Sequence, residues 1–175
     1  MKTDITALLN GRASSLDIDY GFMPDEAGSP VTLPEEIDIA SPVRVRGKIA
    51  DQNGVMSLHA GVTVKYSTVC DRCLDEINGE LSFDVDKTVS TDEPPEGYED
   101  DPSWDDVLFV EESAVDIDRS LVEEIAVRLP PYHLCSEDCP GLCPRCGKKL
   151  KDGVCTCKEE KEIDPRLKIL QKLLD

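Results

Sequence analysis

The clearest order in this chain is an alternation of apolar and polar side chains that begins near residue 37 and continues to residue 85. Val43, Val45 and Ile49 alternate with Arg44, Arg46 and Lys48. Met56, Leu58, Ala60, Val62, Val64 and Tyr66 then point one way, and Ser57, His59, Thr63, Lys65 and Ser67 the other. A period of two over this length marks a half-buried strand of an antiparallel sheet. Asp51-Gln52-Asn53-Gly54 joins the two runs, with Asn-Gly supplying the positive φ angles of a tight hairpin. A third strand sets Leu81, Phe83 and Val85 inward after a turn near Asn78-Gly79. Cys70 falls in the apolar phase of the second run, which places Cys70-Asp71-Arg72-Cys73 in the connection between strands two and three.

Residues 1–34 read as an irregular lead-in, because Gly28-Ser29-Pro30 and Pro34 interrupt regular structure. Val107–Val110 adds a short edge strand. Ser120-Leu121-Val122-Glu123 opens a helix over 120–129 with a capping-box pattern. Leu121, Ile125 and Leu129, with Val122 beside them, give that helix one apolar face, and Pro130-Pro131 ends it. Asp164-Pro165 starts a last helix, Asp as N-cap and Pro at the first helical position. Its stripe is Leu167, Leu170 and Leu174, widened by Ile169 and Leu173. The expected fold class is α+β. An antiparallel, barrel-like sheet with one packed helix occupies residues 35–131, and an extension ending in a helix occupies 132–175.

Charge changes the picture of what such a protein can touch. The formal net charge of the 175-residue chain is −18. Residues 143–175 carry nine basic and six acidic residues, a net of +3, which leaves −21 on residues 1–142. Tight sequence-independent binding of nucleic acid requires Lys and Arg against phosphates, so this balance argues against it. It favours a basic macromolecular partner. Thr91 to Asp118 concentrates the effect, with twelve Asp or Glu and no Lys or Arg. That stretch reads as a solvated acidic loop or as a docking surface for a basic protein. The start, Met1-Lys2-Thr3-Asp4-Ile5, has no continuous apolar leader, and no segment approaches the length of a membrane span. A cytoplasmic location is expected.

In a reducing compartment the eight cysteines point to metal more than to disulfides. A bridge within Cys155-Thr156-Cys157 would also be strained. Cys143-Pro144-Arg145-Cys146-Gly147 has the form of a zinc knuckle, because sulfurs must leave a short, bent backbone to converge on one ion. Gly147 permits the left-handed backbone that follows such a turn. Asp152-Gly153 returns the chain to present Cys155 and Cys157. The simplest assembly is one site of Cys143, Cys146, Cys155 and Cys157. The other four, Cys70, Cys73, Cys135 and Cys139, would make a second site stapling the extension to the sheet, with His133 available to replace a sulfur. One or two structural zinc ions are expected. A rubredoxin-type iron site and a thiolate redox switch are the rival chemistries. A hydrolytic zinc centre is the weakest reading, since it needs an open position and a general base. No Ser/His/Asp set, phosphate loop or nucleotide fingerprint is present, and His59 reads as a surface residue, so a non-enzymatic protein is expected.

The Cys70-Asp71-Arg72-Cys73-Leu74 turn, the helix ending Leu129-Pro130-Pro131, and Leu142-Cys143-Pro144-Arg145-Cys146-Gly147 form a specific combination. With Cys155-Thr156-Cys157 and Ile163-Asp164-Pro165-Arg166-Leu167, the chain resembles the YceD-like family of large ribosomal RNA subunit accumulation proteins, in its bacterial branch with a cysteine-rich tail. The resemblance implies a role in making or accumulating large-subunit ribosomal RNA. Members without the cysteine-rich tail retain the C-x-x-C turn. The expected partners are basic ribosomal proteins or assembly intermediates of the large subunit, with RNA contact secondary. Direct ribosomal RNA binding is the alternative.

Overall fold

The computed structural model describes residues 2–92, 104–153 and 155–157. Seven strands form one sheet: β1 (Lys2–Asp4), β2 (Ser15–Phe22), β3 (Val43–Gln52), β4 (Val55–Val69), β5 (Glu76–Ser90), β6 (Val107–Glu111) and β7 (Ala114–Asp116). Among the described residues two α-helices, α1 (Thr6–Leu9) and α2 (Ile117–Arg128), accompany them. The strand order is β1-β7-β6-β5-β4-β3-β2. Alternation along β3, β4 and β5 places Val43, Val45, Ile49, Leu58, Val64 and Val85 in the core, each at most 3% exposed. The registers Val45↔Val62 and Val62↔Phe83 carry the apolar side chains of all three strands onto one face. Gly47 is required at its place, because a Cβ there would stand 2.1 Å from the His59 carbonyl oxygen.

The structure corrects the antiparallel expectation. β5 and β6 are parallel, from Thr88↔Val107 to Ser90↔Phe109, and the other pairings are antiparallel. The sheet is therefore mixed. A two-residue period is the same in both arrangements, so alternation carries no information on direction. A parallel pair does need a long crossover, and the acidic stretch between β5 and β6 supplies it. That stretch is not one loop. Its residues 107–111 and 114–116 are strands, and residues 93–103 lie outside the described region. β6 is also an interior strand between β5 and β7, not an edge.

Residues 2–26 are part of the fold, contrary to the irregular lead-in, and regular structure lapses around Gly28-Ser29-Pro30 and Pro34. They hold β1, α1 and β2, and Ile5, Leu8, Ile18 and Phe22 are buried. β2 pairs with β3 from Ser15↔Ala50 to Phe22↔Val43. Leu16, Ile18, Tyr20 and Phe22 alternate with Asp17, Asp19 and Gly21, which is the period-two signal on a short scale. Asn78-Gly79 is not a turn but lies within β5. The Tyr66 ring lies against Gly79, where a Cβ would stand 2.3 Å from a ring carbon. This glycine serves close approach.

α2 starts at Ile117 rather than Ser120. Asp116 caps it, accepting a hydrogen bond from the Arg119 backbone N–H at 3.3 Å. Ile117, Leu121, Val122 and Ile125 are at most 2% exposed. The sheet is open, with β1 and β2 at its edges, so the barrel expectation holds only in part. α2 bridges between the edges: it packs on β1 and on the turn Pro24–Glu26 after β2. The Tyr20 hydroxyl of β2 donates to Asp118 in its first turn at 2.7 Å. Lys87, a buried ammonium on β5, pairs with Glu124 of α2 at 2.8 Å and donates to the Asp105 carbonyl at 2.7 Å. A charge taken from water needs such partners. The helix expected from Asp164 onward lies outside the described residues.

Candidate metal centre

Two cysteine turns close with the same backbone pattern. β4 and β5 stay paired to Val69↔Glu76 and so deliver Cys70-Asp71-Arg72-Cys73 at the end of a long hairpin. There the Cys70 N–H donates to the Asp75 carbonyl at 2.8 Å, and the Leu74 N–H to the Cys70 carbonyl at 2.9 Å. In the second turn the Cys143 N–H donates to Lys148 at 2.8 Å, and the Gly147 N–H to Cys143 at 2.9 Å. The residue after the second cysteine is left-handed in both, Leu74 at φ 58° and Gly147 at φ 69°. Glycine takes this conformation freely; for leucine it costs roughly 1–2 kcal/mol.

The eight cysteines gather into two sets of four, Cys70/Cys73/Cys135/Cys139 and Cys143/Cys146/Cys155/Cys157, the sulfurs of each set all within 4.8 Å of one another. Sulfurs at the corners of a tetrahedral zinc site, about 2.3 Å from the ion, stand roughly 3.8 Å apart. The first set has Cys70–Cys139 at 3.8 Å and Cys73–Cys135 at 3.6 Å. The second has Cys146–Cys155 at 3.5 Å and Cys143–Cys155 at 3.4 Å. All eight are free thiols rather than disulfides. The sets differ in cover: Cys70, Cys73 and Cys139 are buried, and Leu134 and Leu142 pack against them. In the second set Cys143 is buried while Cys146 is exposed.

Electrostatics fits a cation at both. Backbone N–H groups, that of Cys135 foremost, lower the Cys70 thiol to about 6. Those of Cys146 and Arg145 lower Cys143 to about 6. Burial pushes Cys73 up to about 12, and the neighbouring Cys155 sulfur pushes Cys157 up to about 12. One thiolate per set is favoured by the protein alone; four ionised thiolates so close together would need a positive ion between them. The all-sulfur donor set suits zinc or iron.

The segment carrying Cys135 and Cys139 is tied to the first turn by side chains that sequence reading passed over. The Asp71 carboxylate accepts from the His133 N–H at 2.8 Å, and the Asp71 N–H donates to the His133 carbonyl at 2.9 Å. The Arg72 guanidinium donates to the carbonyls of Glu137 at 3.2 Å and Cys139 at 3.0 Å. Asp75 ion-pairs with Lys149 and Lys151 of the second turn's hairpin. His133 does not stand in for a sulfur. It is buried with its ring edge-on to Tyr66, centroids 5.7 Å apart. His59 is exposed on β4 and pairs with Asp86.

The sequence profile of the large ribosomal RNA subunit accumulation protein YceD matches residues 58–174. The chain belongs to the YceD family. The matched region begins in β4 and takes in every cysteine of both sets. Among relatives, the uncharacterised protein YlbN of Bacillus subtilis is 30% identical over 145 residues, 81% of this chain and 80% of its own length. An uncharacterised protein of Mycobacterium tuberculosis, Rv2926c, is 27% identical over 177 residues, covering 93% of this chain and 83% of its own. No solved structure matches. Membership of the YceD family implies a role in accumulation of the large ribosomal RNA subunit. Among the described residues no helix is long and apolar enough to cross a membrane.

Proposed function

We propose that this YceD-family protein is a non-enzymatic, cytoplasmic factor in large ribosomal subunit biogenesis. It acts through an acidic surface that docks basic ribosomal proteins or assembly intermediates. Zinc held by the two cysteine sets is structural, fastening the extension to the sheet. The observation that carries the reading is charge: −21 on residues 1–142, with twelve acids and no Lys or Arg from Thr91 to Asp118. Asp105, Asp106, Glu111 and Glu112 are exposed around β6. Such a field attracts ribosomal proteins before RNA neutralises them, and it repels RNA.

On the exposed face of the sheet the cations are interleaved with acids. Arg44, Arg46 and Lys48 line the exposed face of β3. Asp17 and Asp19 on β2 stand beside Lys48 and Arg46, and Arg46 pairs with Asp19 at 3.3 Å. On the far side Asp84 and Asp86 of β5 face Gly61 and His59. A phosphate chain crossing this face would meet as many carboxylates as cations. A redox role is favoured by one observation, the exposure of one cysteine in each set, Cys135 in the first and Cys146 in the second.

The deciding experiment is capture from lysate by the full chain, with and without nuclease. Wild type is compared with a variant whose acids from Asp92 to Asp106 are converted to amides, and bound proteins are identified by mass. Basic large-subunit proteins captured despite nuclease, and lost in the variant, support the reading. Capture that vanishes with nuclease and ignores the acidic change transfers the function to RNA binding. Elemental analysis under reducing conditions separates structural zinc from an iron electron carrier.

A further inference from the structure

Asp75 is where the two cysteine sets meet. It follows Cys73 by two residues, and its Oδ2 lies 3.4 Å from the Cys73 sulfur. The same carboxylate, 20% exposed, pairs with Lys149 and Lys151. Both lysines lie between Cys146 and Cys155, on the hairpin that the second set closes. Backbone packing brings the hairpin there: the Leu150 N–H donates to the Gly141 carbonyl at 3.0 Å. At Gly141 a Cβ would stand 3.0 Å from the Arg72 carbonyl oxygen.

The charges give this contact a direction. A divalent ion held by four thiolates forms a centre of net charge −2, by formal count. A carboxylate beside the Cys73 sulfur works against such a centre unless cations cover it. Lys149 and Lys151 are those cations, and they are in place only while the second hairpin keeps its shape.

We propose that Asp75 couples the two metal centres. An ion in the second set fixes Lys149 and Lys151 against Asp75, and the first set then holds its own ion more tightly. By linkage the coupling is reciprocal, so an ion in the first set strengthens the second by the same factor. Asp75 is a positioning residue and touches neither ion. The inference rests on the metal reading above, though not on the ribosomal role.

The test is competition of zinc between the reduced, metal-freed full chain and a chromophoric chelator. It uses two backgrounds, wild type and Cys146→Ser, which keeps only the first set. With both sets intact, Lys149→Gln with Lys151→Gln lowers the combined affinity for two ions about tenfold, within the usual range of such couplings. In the Cys146→Ser background the same pair changes the affinity of the remaining site less than about twofold, because the hairpin no longer presents the lysines. Asp75→Asn gives a sharper sign: it weakens binding with both sets present and does not weaken it in Cys146→Ser. Equal effects in the two backgrounds, or no effect in either, overturn the coupling. Failure of wild type to take up two zinc ions per chain overturns the metal reading itself, which the stoichiometry reports separately.

Discussion

Cys70–Asp75 and Cys143–Lys148 close with the same two hydrogen bonds, yet the first hangs from two fifteen-residue strands while the second has, among the described residues, a single β-bridge, Leu142↔Lys149, beside it. Strand pairing down to Val69↔Glu76 presents Cys70 and Cys73 whether or not an ion is bound. Among the described residues nothing comparable presents Cys146 or Cys155. The difference shows that one local motif can draw its order from two sources, a sheet in one case and its own ligand set in the other. If both sets hold metal, the first turn would serve as a platform, while the second would depend more on its ligands.

The largest test of that contrast removes one ligand from each set. Metal binding to structural zinc sites is worth roughly 10–16 kcal/mol in small peptides, so each loss is large but should be spent in a different place. Cys146→Ser should abolish hydrogen-exchange protection in the segment 141–157 and leave β3, β4 and β5 unchanged. Cys70→Ser should release 133–157 and loosen the paired ends of β4 and β5, because Cys135 and Cys139 lose their partners. If Cys146→Ser melts the sheet, the second set is integral to the fold and the contrast fails.

A change at the far end of the sheet sharpens the same point. Tyr20 is raised above its ordinary range, first by burial and then by its hydrogen bond to Asp118. A phenol with a raised pKa favours the folded state while protonated. Its share of stability is therefore present below pH about 10 and is lost as pH rises above that value. Tyr20→Phe should cost about 2 kcal/mol at neutral pH, the scale of a hydrogen bond to a charged group. It should also flatten the alkaline fall in stability. Zinc affinity at the second set should not move. Weaker zinc binding in Tyr20→Phe would mean that the sheet and the second set are not independent.

Much of this was legible in the sequence, for identifiable reasons. The core strands were, because β3 and β4 carry one apolar face over many residues. The two fours were the simplest of the many splits that eight cysteines allow, and it is the folded chain that brings the sulfurs of each four within 4.8 Å of one another. What was missed rests on longer-range facts. β2 is short and its polar positions are acidic, so its alternation between Leu16 and Phe22 was hidden beside the glycines and prolines that follow it. The parallel β5–β6 pairing depends on a crossover, which leaves no trace in period two. Gly79 resembles a turn residue but makes room for Tyr66. Asp75 gave no signal at all, since its role depends on lysines more than seventy positions away.

The smallest predicted effect lies in the residue after each second cysteine. Leu74 and Gly147 hold nearly the same positive φ, so substitutions at the two should differ in sign. Leu74 is 59% exposed and loses little packing when removed. Relief of its left-handed backbone is worth roughly 1–2 kcal/mol, against an entropic cost for glycine of roughly 0.5–1 kcal/mol. Leu74→Gly should therefore raise the stability of the whole fold by about 0.5–1 kcal/mol, read from the midpoint of chemical denaturation. Gly147 has no atom within 4 Å of where a Cβ would stand, so Gly147→Ala meets only the conformational penalty, about 1 kcal/mol. Because the second turn is shaped by its ligands, that penalty should appear as about fivefold weaker zinc binding at the second set, with the denaturation midpoint of the sheet unchanged. A shift of the midpoint in Gly147→Ala equal to that in Leu74→Gly would show that both turns draw on the sheet alike.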